Sequence, residues 1–149
     1  MPPTVPVQWH QQGAEPIFIK ILGTAAGGGF PQWNCRCAQC QAARAGEISP
    51  RLQASAAISP DGAAWYLVNA TPDVTAQLLQ HPELHPRHGN RETPFAGILL
   101  TDAELDHALG LLHLREGDSL RLYGTAAVRA ALQDELGFLP NLARYTEVD

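Results

Sequence analysis

From Gly27 to Cys40 the chain reads GGGFPQWNCRCAQC, fourteen residues that hold three consecutive glycines and all three of its cysteines. The run follows almost directly on IFIKIL (Ile17–Leu22), a β-prone stretch ending at Gly23, so the loop leaves the end of a strand. Any fold for this chain must bring a strand end, a tight glycine turn and three thiols to one place. The spacing Cys35-x-Cys37-x-x-Cys40 lets one turn of backbone aim three sulfurs at a single ion, and zinc is the default guest. Structural zinc takes four ligands, so the fourth falls to His81, His85, His88, His113, a water or another polypeptide. A redox dithiol and inert thiols are the competing readings. Consecutive glycines also expose backbone N–H groups that suit a phosphate. However, no Lys-Ser or Lys-Thr follows, and GTAAGGGFP contains no G-x-G-x-x-G. The loop either faces a substrate or is a tight turn that glycine alone accepts.

The remaining bounds are broad. A chain of 149 residues suits one domain and buries about two-thirds of its unfolded surface. An apolar fraction of 45% with 17% charged residues excludes long disorder. A net charge of −5 with scattered Lys and Arg argues against a nucleic-acid partner. No apolar run is long enough to span a membrane, and MPPTVPVQWHQQGAEP carries no targeting pattern. The expected compartment is the cytoplasm, where clustered cysteines are reduced thiols or metal ligands.

Residues 1–16 hold four prolines without periodicity and read as an extended arm; residues 17–149 read as the folded unit. A short helix is expected over Gln39–Ala45, with Gly46 as its stop. A hairpin follows, Ala54–Ser59 and Ala64–Asn69 around Pro60-Asp61-Gly62. Thr71-Pro72-Asp73 reads as a helix start with Thr71 as cap, and HPELHPRHGNRETP as loop. Phe95–Leu100 reads as a buried strand and Leu120–Tyr123 as another. Thr125 then caps AAVRAALQDEL, which Gly137 ends. This order predicts an α/β layered protein with functional loops at strand ends.

Thr101-Asp102-Ala103-Glu104-Leu105-Asp106-His107 sets three carboxylates and an imidazole after the buried strand. Oxygen donors with one nitrogen suit Fe(II), Mn or Zn, and Asp106 with His107 could begin a 2-His-1-carboxylate site. Equally, acidic residues favour a helix N-terminus, and Thr101 with Glu104 forms a capping box. His81, His85 and His88 lie among prolines and read as surface histidines. Asp73 reads as helix-start electrostatics rather than a ligand.

Taken together, LGTAAGGGFPQWNCRCAQC (22–40), NATPD (69–73) and LLTDAELDHALGLLHLREG (99–117) resemble the pyrroloquinoline quinone (PQQ) biosynthesis protein B family, PqqB, over roughly residues 17–149. The resemblance implies the metallo-β-lactamase superfamily and the N-terminal half of its αββα sandwich, a mixed sheet with flanking helices. The superfamily motif is His-x-His-x-Asp-His. Here Asp102 and Glu104 stand at the two His positions, while Asp106 and His107 match the last pair, and this departure argues against a dinuclear zinc hydrolase.

What remains resembles a mononuclear Fe(II) site on Asp106 and His107 with a later His, and Asp102 joins them as a candidate catalytic residue. Cys35, Cys37 and Cys40 resemble the structural zinc site of PqqB and of the phosphodiesterase PhnP, which a distant His completes. The implied activity is oxygen-dependent hydroxylation of a Tyr-derived, Glu–Tyr cross-linked PQQ precursor, with its ring held against Gly27, Gly28, Gly29, Phe30 and Trp33. The alternatives are carriage or transport of PQQ or its precursor, and metal-dependent hydrolysis. Half a sandwich exposes a sheet face and an edge, so association with a complementary C-terminal half or with a second copy is expected.

Overall fold

Strands buried on one side need an apolar residue at every second position, and here Leu22, Ala57, Leu67 and Ile98 supply them in four neighbouring strands. The computed structural model describes residues 16–149. The arm expected over 1–16 therefore lies, but for Pro16, outside the described residues. Five strands form the main sheet in the order β1 (Phe18–Gly23), β2 (Ser55–Ser59), β3 (Tyr66–Val68), β4 (Gly97–Leu99) and β6 (Leu122–Tyr123). The first three pair antiparallel, and β3–β4 and β4–β6 pair parallel, so the sheet is mixed.

One face is covered by α2 (Val74–Leu79), α4 (Ala126–Ala130), α5 (Phe138–Leu142) and a 3₁₀ turn at Leu109–His113. Val74, Leu111, Val128, Leu132, Phe138 and Leu142 join the strand residues in one core. Each large side chain so buried contributes about 1.5–3 kcal/mol. No described helix is long and apolar enough to cross a membrane.

No described element covers the other face. Register places Ile19, Ile58 and Tyr66 in one cross-strand row, and Ile21, Ala56, Val68, Leu99 and Tyr123 in the next. Ile17, Ile19 and Ile21 are 71%, 67% and 60% exposed. A contiguous apolar face of this kind marks an association surface rather than scattered surface leucines.

Several elements depart from the sequence expectation. The strand expected over Leu120–Tyr123 divides at Arg121: β5 (Ser119–Leu120) pairs with β7 (Glu147–Val148) in a separate parallel pair, while Leu122–Tyr123 joins β4. The two sides of this segment bond different strands: Arg121 O and Tyr123 O accept from Ile98 N–H and Leu100 N–H, while Leu122 N–H donates to Asp149 O and Leu120 O accepts from Asp149 N–H. The helix beginning at Thr125 continues as a π turn, Ala131–Glu135. After Gly137 comes α5, which the sequence reading lacks because Pro140 hides the Phe138/Leu142 spacing; within the first turn a proline costs no hydrogen bond. α1 is Ala38–Arg44, capped by Cys37. The N-cap position of α2 is Asp73, not Thr71. The Pro-rich loop contains one 3₁₀ turn, Pro82–Leu84, and His81 and His85 beside it are half-buried, so only His88 of the three is a surface residue.

Asp118 clasps the segment before β4 to β5: it accepts from Thr93 N–H at 3.0 Å, the Thr93 hydroxyl at 2.9 Å and Ser119 N–H at 2.8 Å. The Thr93 hydroxyl, with the Thr93 and Ser119 amides, holds its carboxyl below the ordinary carboxylate value. Because the folded value is depressed, the clasp stabilises above the unfolded carboxylate range near about pH 4 and is lost as pH falls through the lower folded value. Urea titrations from neutral to acid pH are therefore expected to show Asp118→Ala destabilised at neutrality, with a shallower acid decline than wild type. For the uncovered face, Ile19→Lys with Ile21→Lys is expected to cut binding of the hydrophobic dye ANS, read by fluorescence, with far-UV circular dichroism unchanged.

Candidate metal centres

Two loops leave adjacent ends of the sheet and carry the chemistry. In the first, Phe30 and Arg51 exchange backbone hydrogen bonds at 3.2 and 2.8 Å, with the Arg51 guanidinium 4.9 Å over the Phe30 ring. A turn closed by Cys35 N–H on Gln32 O at 3.1 Å then leads into α1. The sulfur of Cys37 caps that helix by accepting from Cys40 N–H at 3.5 Å, and the Cys35 sulfur accepts from Cys37 N–H at 3.5 Å. All three sulfurs lie within 4.8 Å of one another, close to the ~3.8 Å edge of a tetrahedron with Zn–S bonds of about 2.3 Å.

The Cys40 backbone N–H, with the neighbouring thiols, draws the Cys37 thiol below its ordinary value. At Cys40 a backbone hydrogen bond at Gln32 lowers the thiol, but burial and the adjacent cysteines outweigh it and push it up. Among the described residues no His, Asp or Glu joins this cluster, so none of His81, His85, His88 and His113 stands as the fourth ligand. Arg44, which belongs to no sequence motif, holds the knuckle together. Its guanidinium donates to Cys35 O at 2.6 Å and to Gln32 O. Gln41 adds a bond to Arg36 O at 2.6 Å.

The second loop follows β4. Asn69, at the end of β3 with φ 62°, accepts Thr101 N–H at 3.0 Å and donates to the Thr101 hydroxyl at 3.0 Å. That hydroxyl donates in turn to Asp102 at 2.9 Å. The expected capping box is absent: Glu104 stands at the N-cap position of the four-residue α3 (Leu105–Ala108) and its side chain makes no capping bond. Asp102 accepts from Glu104 N–H at 3.0 Å and lies 2.8 Å from His107 Nδ1. Burial raises its carboxyl, but the Glu104 amide, His107 and the Thr101 hydroxyl outweigh that and hold it below the ordinary value. The carboxylate fixes the proton on Nδ1 and leaves the Nε2 lone pair free, the arrangement metal-binding histidines use.

Asp106 Oδ2 sits 4.0 Å from His107 Nε2. Asp102, Asp106 and His107 do not converge as three donors; Asp102 stands behind the imidazole. α3 is docked by Ala70 N–H on His107 O at 2.8 Å and Gly110 N–H on Ala70 O at 2.9 Å. A Cβ at Gly110 would lie 2.1 Å from Thr71 O, so only glycine allows this approach.

The two loops meet at Gly27, whose missing Cβ would fall 2.8 Å from Asp106 Oδ2. Gly28 lies against the Gln32 side chain, and no atom stands within 4 Å of a Cβ built on Gly29. Trp33 is 85% exposed. Asp73 begins α2 without capping it through its side chain. Its carboxylate instead accepts from Gln53 N–H at 2.8 Å and the Thr71 hydroxyl at 2.6 Å.

Residues 64–148 match the beta-lactamase superfamily domain. The chain belongs to the beta-lactamase superfamily. Among its superfamily relatives, it is 49% identical to coenzyme PQQ synthesis protein B of Methylorubrum extorquens (strain PA1) over 82% of this chain and 42% of that protein. To the protein of the same name from Methylobacterium nodulans it is 58% identical over 70% and 36%. It superposes on Zn²⁺-bound PqqB from Methylobacterium extorquens with TM-score 0.79 and 46% identity, covering 88% of this chain and 44% of that one. A diphosphatase of the PhnP family shares the fold alone, with TM-score 0.64 at 23% identity over 90% of this chain and 50% of that one. The described strands and helices are thus a metallo-β-lactamase fold unit, and the chain spans about two-fifths of the length of the curated relatives it matches.

Because Arg44 ties the carbonyls on which the thiol turn is built, Arg44→Met is expected to weaken zinc binding at the cysteines by about ten- to a hundredfold. Competition with a chromophoric chelator measures this, with helix content as the folding control.

Proposed function

We propose that the chain acts in pyrroloquinoline quinone biosynthesis, as a PqqB-like unit for iron- and oxygen-dependent hydroxylation of the Tyr-derived, Glu–Tyr cross-linked precursor. The observation that carries this reading is the seat of Asp106 and His107 beneath Gly27, a carboxylate and a free imidazole nitrogen 4.0 Å apart, within reach of one ion. The similarity to PQQ synthesis proteins supplies the substrate class.

In this reading Asp106 and His107 hold Fe(II), and a third donor comes from beyond the described residues. Iron, when bound, supplies the oxygen-activating chemistry. The chain's own residues orient and hold: Asp102 keeps the His107 proton on Nδ1, and Gly27 leaves the Asp106 carboxylate unobstructed. Phe30 and Trp33 offer aromatic faces to the phenol ring, beside the Gly27–Gly29 backbone. Zinc on Cys35, Cys37 and Cys40 anchors the far end of that loop. A complementary C-terminal half, or a second copy, covers the apolar sheet face.

A second reading, carriage or transport of PQQ or its precursor without turnover, is favoured by one feature: among the described residues Asp106 and His107 gain no third donor, whereas the thiols form a group of three.

The test is the chain assembled with the remaining half of a PqqB protein, given Fe(II), oxygen, a reductant and the cross-linked precursor, with products read by mass spectrometry. Gain of one oxygen atom by the precursor is expected, reduced by about a hundredfold or more in Asp106→Ala. Tight precursor binding with no oxygen incorporated would overturn hydroxylation in favour of the carrier reading.

A further inference from the structure

Gln53 belongs to none of the motifs above, yet it lies between both loops. It is 7% exposed, and its side-chain Nε2 donates to the Gly27 carbonyl. Its own backbone is held from three directions: N–H on Asp73 at 2.8 Å, the carbonyl accepting from Gln77 Nε2 at 2.7 Å, and a bridge to Ala25. A side chain on so fixed a backbone is a strut rather than a flexible arm.

A glutamine buried only to fill the core would have both ends of its amide satisfied. Here Oε1 is buried with no partner among the described residues, and the bond to Gly27 is the one that orients the amide. Gly27 in turn lies close beside Asp106, where a Cβ would stand 2.8 Å from Oδ2 and 2.9 Å from the Asp106 Cβ and Cγ.

The geometry points to Gln53 as a positioning residue: by holding the Gly27 carbonyl it keeps the glycine loop seated on Asp106 and fixes the carboxylate that the proposed metal uses. The metal part rests on the reading above; the loop part does not. Asp73 and Gln77 act one step further back, by fixing Gln53.

The experiment is solution NMR on the zinc-loaded full chain. In wild type the Gln53 side-chain amide protons are expected to exchange with solvent at least tenfold more slowly than those of exposed Gln133. Gln53→Leu is expected to speed exchange of Gly29 N–H, which donates to Ala26 O at 2.8 Å, by tenfold or more. The same variant should weaken Co(II) binding, seen as broadening of the His107 ring signals, about tenfold while zinc content stays unchanged. The assignment is overturned if the Gln53 amide exchanges as fast as that of Gln133, or if Gln53→Leu leaves both Gly29 exchange and Co(II) affinity within twofold of wild type. Should Gln53→Leu fail to fold, the wild-type exchange measurement decides by itself. If wild type binds no cobalt at His107, the metal reading falls and the exchange results still decide the strut.

Discussion

The parallel pairing of β3 with β4 is the constraint on which the rest depends. Two adjacent parallel strands end on the same side of a sheet, so the loops that follow them start next to each other. One loop carries Asn69 to Asp73 and the other Thr101 to His107. Asn69 joins them by bonding both the backbone and the hydroxyl of Thr101. The close approach at Gly110 then lays α3 against Ala70 and Thr71. From that point the chain of contacts runs outward without a break: Thr101 to Asp102, Asp102 to His107, and Asp106 to Gly27.

Gly27 brings the antiparallel end of the sheet into the same site. Its loop starts where β1 shifts register between Ile21 and Gly23, and ends in the thiol turn that Arg44 holds from α1. One short segment thus reaches both candidate centres, carrying the thiols at one end and lying beside Asp106 at the other. One end presents soft sulfur donors in a preformed turn; the other is a hard carboxylate beside an oriented imidazole. Donor sets so different select different ions, which suits a structural metal at one end and a reactive one at the other.

The division of the sheet's two faces has the same origin in register. A shift of one residue would exchange the buried and exposed sets. Ala57, Leu67 and Ile98, with Leu22 at the register shift of β1, face the helices, while the row through Ile21, Ala56, Val68, Leu99 and Tyr123 faces outward and is also apolar. A sheet that is apolar on both faces offers a second surface suited to association.

The sequence by itself determined what is local. The Cys-x-Cys-x-x-Cys turn, the start of α1 beside it, the cap at Thr125, the hairpin and the α/β class were legible there, because each depends on residues within one turn or on a short periodicity. Asp106 and His107 stood out for the same reason. Only the tertiary structure decided the roles that depend on partners distant along the chain. Asp102 became the support of His107, Thr101 gave its hydroxyl to Asn69 rather than to a capping box, and Asp73 tied down Gln53. Arg44 and Gln53 carry no motif, since what distinguishes them is a backbone carbonyl brought to them by the fold: for Arg44, those of Gln32 and Cys35, and for Gln53, that of Gly27. A hydrogen bond across 26 residues leaves no spacing to read, and its meaning exists only once the strands have paired.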